Sequence, residues 1–229
     1  VLFEPDHSLI DQSLAARSGT TTTNADGFGI GWYGKEDAPA LYRETKPAWN
    51  DVNLRDLAAH VETPMLLAHG RAATGTAVQQ TNCHPFRHGR WLFQHNGTIR
   101  EFAKIKRELL LAEDPALFGS IVGTTDSELM FHLALTFGLE EDPQGGLERM
   151  AGFVESVGHA HGIEFPMQMT LGLADAERLY AVRYSSEGRS RTLWHSKDVK
   201  ALVALNPDLA DLSPKARLIV SEPITDSRA

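Results

Sequence analysis

Residues 91–102 read WLFQHNGTIREF. The run Trp91-Leu92-Phe93 has the character of a buried strand, and it passes directly into His95, Asn96 and Gly97. Asn-Gly is a frequent turn pair, so the plainest reading is a strand that closes in a hairpin corner. Just upstream, LLAHGRAATG at 66–75 has the same construction: an apolar run followed by His69, Gly70 and Arg71. Two strands that finish this way, so close in sequence, raise the question of what their polar ends do.

Working outward from this pair, "FGIGWYG" (28–34) alternates large apolar residues with glycine and reads as a strand, and "PALYRET" reads as its partner. The glycines leave room for a close backbone or ligand approach. Helices are expected over 6–17, capped by Asp6 or Ser8, and over 49–61, capped near Asn50 or Asp51. Further helices are expected over 98–112, 124–139 and 142–161. In the second of these, Thr125 or Asp126 stands at the start and Glu128 is placed for a capping box. The tail is strand-rich, with "MQMTLGLAD", "RLYAVRYSS", "RTLWHSK" and "ARLIV". Strands and helices fall in groups without a repeat or a linker, which predicts a single α+β domain over 1–229, its sheets covered by helices.

The bulk chemistry removes several function classes. At 42% hydrophobic and 23% charged residues the chain is of ordinary globular composition, long enough to bury a core. A net charge of −8 with no basic run argues against a nucleic-acid partner. No apolar stretch approaches the roughly 18 residues of a membrane helix, and no signal peptide is visible. The single cysteine, Cys83, excludes an internal disulfide and fits a cytoplasmic location. The 10 histidines invite a metal, but neither HExxH nor a Cys/His finger spacing is present, and His159 and His161 fall on different faces of a helix. No metal and no cofactor is expected.

Four polar clusters sit at the edges of apolar segments: 24–32, 68–75, 81–97 and 123–128. Taken singly, each has an ordinary explanation. Arg71 suits a two-pronged bond to a carboxylate, or a surface ion pair. Asn96 and the Gly97 N–H suit an oxyanion hole, or a hairpin turn. Asp126 suits a substrate ammonium, or a helix N-cap; Asp26 before Gly27 is most simply a turn.

In order, the motifs DGFG, HGRxATG, HPF, HNG and TDSE resemble the glutaminase domain of the class II glutamine amidotransferases, which are N-terminal-nucleophile hydrolases. The resemblance runs over roughly residues 1–220 and is strongest to small stand-alone members. It implies a four-layer αββα sandwich of two antiparallel sheets, with the N-terminal strand missing from these 229 residues. It also implies site roles. Arg71 matches the arginine that grips the α-carboxylate of glutamine, and Thr74 a threonine lining the same pocket. Asp126 matches the aspartate that receives the α-ammonium, and Asn96 with Gly97 the oxyanion hole. Asp26 and Gly27 match the loop beside the nucleophile, and His84, in HPF, a structural or pocket-edge position. The implied partners are a small-molecule amide and a separate ammonia-accepting synthase.

The family's nucleophile is a cysteine at the first position of the mature chain, with its own α-amino group as base. Val1 cannot fill that role, and the expectation is that the cysteine lies on a strand upstream of it. Cys83 adjoins His84, but neighbours on an extended strand point to opposite faces, so Cys83 is read as a small buried hydrophobe. The expected activity is hydrolysis of the glutamine side-chain amide. The alternatives are a γ-glutamyl amide hydrolase, as in ergothioneine synthesis, and a non-catalytic glutamine- or glutamyl-binding domain.

Overall fold

The computed structural model describes residues 2–3, 7–17, 23–73 and 75–224. In chain order the elements are α1 (Leu9–Leu14), β1 (Phe28–Trp32), β2 (Ala40–Glu44), α2 (Val52–His60), β3 (Leu66–Gly70), β4 (Phe86–His88) and β5 (Trp91–Ile99). They continue with α3 (Phe102–Leu111), α4 (Pro115–Phe118), α5 (Asp126–Thr136), α6 (Pro143–Ala160), β6 (Met167–Ala174), β7 (Leu179–Ser185), β8 (Trp194–His195), α7 (Val199–Leu205) and β9 (Ile219–Val220). The strands form a three-stranded antiparallel sheet, β2-β1-β3, and a four-stranded one, β4-β5-β6-β7; β8 and β9 make a small separate pair.

Strand periodicity sorts the side chains into four layers. On β1, Phe28 and Ile30 face outward and pack with Ile10 of α1 and Leu54 of α2. On β5 and β6, Phe93, Ile99, Met169 and Leu171 face the other way, into a core with Ile105 of α3, Phe131 of α5 and Val154 of α6. Between the sheets a dry contact joins Tyr33, Leu67, Leu92 and Ala174. Glycine sets the spacing there. A Cβ on Gly31 would lie 2.8 Å from Leu92 Cδ1 and 2.9 Å from Pro85 Cγ, and one on Gly29 would overlap the His84 carbonyl oxygen. The Tyr33 hydroxyl reaches across the gap, its single proton shared between Ala174 O (2.7 Å) and Arg90 O (2.9 Å). This is the expected arrangement of two antiparallel sheets between helices.

Several local expectations change. Asn96 and Gly97 are not a hairpin corner. β5 runs on to Ile99, with Asn96 opposite Thr170 and Gly97 opposite Met169, because the eight residues of β6 offer a partner edge as far as Ile99. The helix expected from 98 therefore starts at Phe102, after Glu101 turns the chain with φ +50°. α5 is capped by Thr125, which accepts from Glu128 N at 3.1 Å. The capping box is only half made, because the Glu128 carboxylate turns back to accept from the N–H groups of Val122 (3.1 Å) and Gly123 (2.7 Å). α1 is capped by Ser8, reciprocated by Asp11; Asp6 lies outside the described residues. The strands expected at 191–197 and 216–220 shrink to two residues each, and α4 and α7 are additional.

Candidate active site

The inner faces of the two sheets diverge from their dry contact and enclose a cavity of about 570 Å³. Arg71, His84, Asn96, Gly97 and Asp126 all line it. Asp26, Gly27 and Cys83 do not reach its wall, and Thr74 lies outside the described residues.

Arg71 follows directly on β3 and is 4% exposed. Its backbone is stitched to the loop before β1: Arg71 N donates to Gly27 O (2.8 Å), and Asp26 N to Arg71 O (3.0 Å). Asp26 Oδ2 accepts from Ala73 N at 2.8 Å, which fixes the next turn of the chain. Asp26 and Gly27 thus meet the cavity through Arg71. The guanidinium donates to Thr76 Oγ1 (2.6 Å), Asp26 O (3.2 Å) and Ala77 O (3.3 Å), all neutral oxygens. Among the described residues no carboxylate pairs with it. A buried cation satisfied only by neutral acceptors has the electrostatics of a carboxylate receptor.

Asp126 opens α5. Its Oδ1 accepts from the N–H of Ser127 (2.8 Å), and its Oδ2 from Ile99 N on β5 (2.8 Å). The second bond settles which way β5 presents its backbone. β4 stops opposite Phe93, so from Gln94 onward that edge of β5 has no strand partner among the described residues. N–H groups two residues apart leave a strand on the same side. Since Ile99 N–H points out of this edge to Asp126, Gly97 N–H points out of it too, unpaired with β6. Asn96, one residue earlier, sends its side chain to the inner face with Gln94 and Leu92. The strand thus offers a backbone donor and a side-chain amide side by side, which is the geometry an oxyanion needs. A residue larger than glycine does not fit at 97: its Cβ would overlap the Gln168 carbonyl oxygen and His95 Nε2.

Some contributors carried no signal of their own in the sequence. His95 Nδ1 lies 2.8 Å from Ser127 Oγ and ties β5 to the start of α5. Asn82, fully buried, donates to Ala77 O (2.9 Å) and accepts from Thr124 N (2.8 Å), clamping the 77–82 loop to the approach of α5. His84 is 5% exposed, and burial first, then His69, His95 and nearby arginines, pushes its imidazole well below the usual value. Its ring lies tilted against that of His69, 4.4 Å between ring centroids. Cys83 is fully buried against Gly27, where a Cβ would sit 2.6 Å from its sulfur. Burial raises its thiol, the opposite of what a nucleophile requires.

The sequence pattern of the family described as "Glutamine amidotransferases class-II" matches residues 4–186. The chain belongs to that family. Members are enzymes, and similar proteins carry amidotransferase and hydrolase names. A probable glutamine amidotransferase, DUG3, of Saccharomyces cerevisiae is 40% identical over 143 residues, covering 59% of this chain and 40% of the yeast protein. The gamma-glutamyl-hercynylcysteine sulfoxide hydrolase of Mycolicibacterium smegmatis is 30% identical over 142 residues, covering 61% of this chain and 58% of its own. The chain therefore spans well under two thirds of either relative. A glutamine aminotransferase class-II domain protein from Silicibacter pomeroyi, of known structure, superimposes with a TM-score of 0.67 at 38% identity, over 75% of this chain and 74% of that one. A predicted glutamine amidotransferase from Pseudomonas aeruginosa shares the fold at a TM-score of 0.51 and 20% identity, over 93% and 83% of the two chains. The segment carrying β8, α7 and β9 lies beyond the matched family region. No helix among the described residues is long and apolar enough to cross a membrane.

Proposed function

We propose that this amidotransferase-family chain hydrolyses the side-chain amide of glutamine, and that its nucleophile is an N-terminal cysteine outside the present 229 residues. The reading is carried by one observation. A buried carboxylate receptor (Arg71), an ammonium receptor (Asp126) and an amide-oxygen site (Asn96, Gly97) all line a single cavity. An α-amino acid offers one carboxylate and one ammonium, and its side-chain amide needs oxyanion donors.

In this scheme Arg71 holds the α-carboxylate in a charge-assisted fork, and Asp126 accepts from the α-ammonium. The thiolate attacks the amide carbon, forming a C–S bond. The carbonyl oxygen becomes an oxyanion and accepts from Asn96 Nδ2 and Gly97 N–H. The C–N bond breaks, the nitrogen takes a proton from the cysteine's α-ammonium, and ammonia leaves. Water then hydrolyses the thioester to glutamate, and the ammonia is available to an acceptor enzyme. Buried Cys83, off the cavity wall, supports placing the nucleophile elsewhere.

A second reading, a γ-glutamyl amide hydrolase, is favoured by the name of the Mycolicibacterium relative. The test is ammonia release from glutamine, measured side by side for the 229-residue chain and for the natural full-length product. Activity confined to the full-length product supports the N-terminal cysteine. Activity in the 229-residue chain overturns that mechanism. A full-length product with an N-terminal cysteine that is inert toward glutamine but cleaves γ-glutamyl amides selects the second reading. With no such cysteine and no activity, the binding-domain alternative replaces both.

A further inference from the structure

Among the described residues, the Asp, Glu, Lys and Arg side chains that line the cavity are Arg71, Asp126, Arg191, Arg217 and Glu222. The scheme above employs the first two. Glu222 accepts from Arg17 N–H at 2.9 Å, and exposed Arg217 donates to Ala216 O at 2.8 Å within its own stretch of chain. Arg191 is different. It is half-buried, and its Nε donates to Gln168 Oε1 at 3.1 Å. Its two terminal nitrogens, both N–H donors, meet no acceptor and no carboxylate among the described residues.

Gln168 sets the position of Arg191. Its carboxamide brackets the chain there: Oε1 accepts from Arg191, and Nε2 donates to Arg189 O at 3.3 Å. Gln168 stands opposite Thr98 on the β5–β6 ladder, and its carbonyl oxygen is the atom that a Cβ at Gly97 would overlap. Thr98 follows Asn96 by two residues, so Thr98 and its partner Gln168 share the inner face with Asn96. Asp126 meets β5 on its other edge, through Ile99 N. Asn96 and Gly97 therefore lie between Asp126 on one side and a guanidinium with open donors on the other. Arg191 also lies beyond residues 4–186, the stretch that matches the family pattern. That placement suits a group that distinguishes substrates better than one that binds their common part.

A γ-glutamyl amide consists of a glutamyl head and an amine that departs. In the reading above the head occupies Arg71 and Asp126. A second guanidinium on the wall, with no carboxylate of the protein beside it, calls for a second carboxylate on the ligand. We propose that Arg191 is the receptor for a carboxylate on the departing amine, so that the substrate is a γ-glutamyl conjugate of an amino acid. Such a molecule carries two carboxylates and one ammonium, and the cavity offers Arg71, Arg191 and Asp126 to match them. Glutamine, whose departing group is ammonia, leaves Arg191 unused. The inference rests on the γ-glutamyl amide reading above. Arg191 binds and orients the amine; it gives and takes no proton.

The experiment measures steady-state hydrolysis of γ-glutamylglycine, γ-glutamylglycinamide and L-glutamine by the full-length protein. The first two differ only in whether the departing amine ends in a carboxylate or a neutral amide. The wild type should favour γ-glutamylglycine over γ-glutamylglycinamide in kcat/KM by about tenfold, the effect of one charge-assisted hydrogen bond. Arg191→Met should abolish that preference by raising KM for γ-glutamylglycine about tenfold, with less than about twofold change for the other two substrates. Arg217→Met, which removes an exposed charge from the same wall, should leave the preference within about twofold of wild type. Misfolding lowers turnover of every substrate alike, so equal losses in Arg191→Met would overturn the subsite. So would a wild type indifferent to the carboxylate, or a preference that survives Arg191→Met or falls equally in Arg217→Met. In each of these outcomes hydrolysis of the conjugates by the wild type persists, and the functional reading stands. A full-length protein that turns over glutamine but neither conjugate overturns the γ-glutamyl reading and this inference with it. One inert toward all three substrates overturns the amidohydrolase reading as a whole.

Discussion

Gly97→Ala tests the oxyanion strand with a single methyl group. The added Cβ would lie 2.9 Å from the Gln168 carbonyl carbon, besides overlapping the oxygen and His95 Nε2. Comfortable carbon–carbon contact begins near 3.5–4.0 Å, so β5 and β6 must part locally by about 0.6–1.1 Å. Neither neighbour yields readily. Gln168 is held in the ladder between β5 and β7, and the His95 ring is held by Ser127. Overpacking of this kind costs about 1–3 kcal/mol, which in a domain of this size lowers Tm by roughly 2–12 °C. Displacing catalytic donors by about 1 Å costs on the order of a hundredfold in rate. The assay is kcat for glutamine in the full-length protein, with a thermal melt of the same sample. A fall in kcat of about a hundredfold, in a protein still folded at the assay temperature, is expected. A kcat within about threefold of wild type and an unmoved Tm would show that the strand has room at 97 and that Gly97 N–H is not held where an oxyanion needs it.

The remaining expectations are more local. Arg71→Ala should raise KM for glutamine by about tenfold or more, from loss of a charge-assisted bond worth about 1.5–3 kcal/mol; an unchanged KM in steady-state assays would remove Arg71 from substrate binding. Cys83→Ala should keep kcat, since the thiol is buried away from the cavity, and its failure would return Cys83 to candidacy. Glu113 and His132, 3.8 Å apart and buried, are a neutral acid beside a neutral imidazole, since burial pushes Glu113 up to about 8 and His132 down to about 4. Folded Glu113 keeps its proton where an unfolded glutamate near 4.5 has lost it, so its effect on stability worsens as pH rises from about 4.5 to 8. Glu113→Gln should therefore leave Tm almost unchanged near pH 5 and raise it near pH 9; a Tm difference independent of pH would contradict this.

The parts of the site that read clearly from sequence are those that single residue types announce at element ends. Arg71 behind an apolar run and Asp126 at a helix start are such residues, and both line the cavity. What misled was Asn96-Gly97. Turn preference is local, whereas the partner that keeps these residues in a strand, Met169-Thr170, lies about 70 positions away. The same distance hides Gln168, which looks like an ordinary strand residue until β6 is laid against β5 and its amide meets Arg191. Glu128 shows the reverse case: its spacing from Thr125 was right for a capping box, but the N–H groups of Val122 and Gly123 compete for its carboxylate and win. α7 was within reach of pattern reading, with Asp198 as cap and Asn206-Pro207 as stop, although its apolar positions also suit a strand-rich tail.

The glycine face of β1 has a mechanical consequence. At Gly31 the sheets touch almost backbone to side chain, against Leu92, and the Tyr33 hydroxyl rivets them together at the same end. The sheets are thus joined like the arms of tongs, with the fulcrum at the dry end and the cavity between the tips. A small rotation there becomes a larger change of gap at Arg71 and Asn96. Bulk introduced at Gly31 would pry the tips apart without touching Arg71, Asn96 or Asp126, so the width of the cavity is set as much at its hinge as at its mouth.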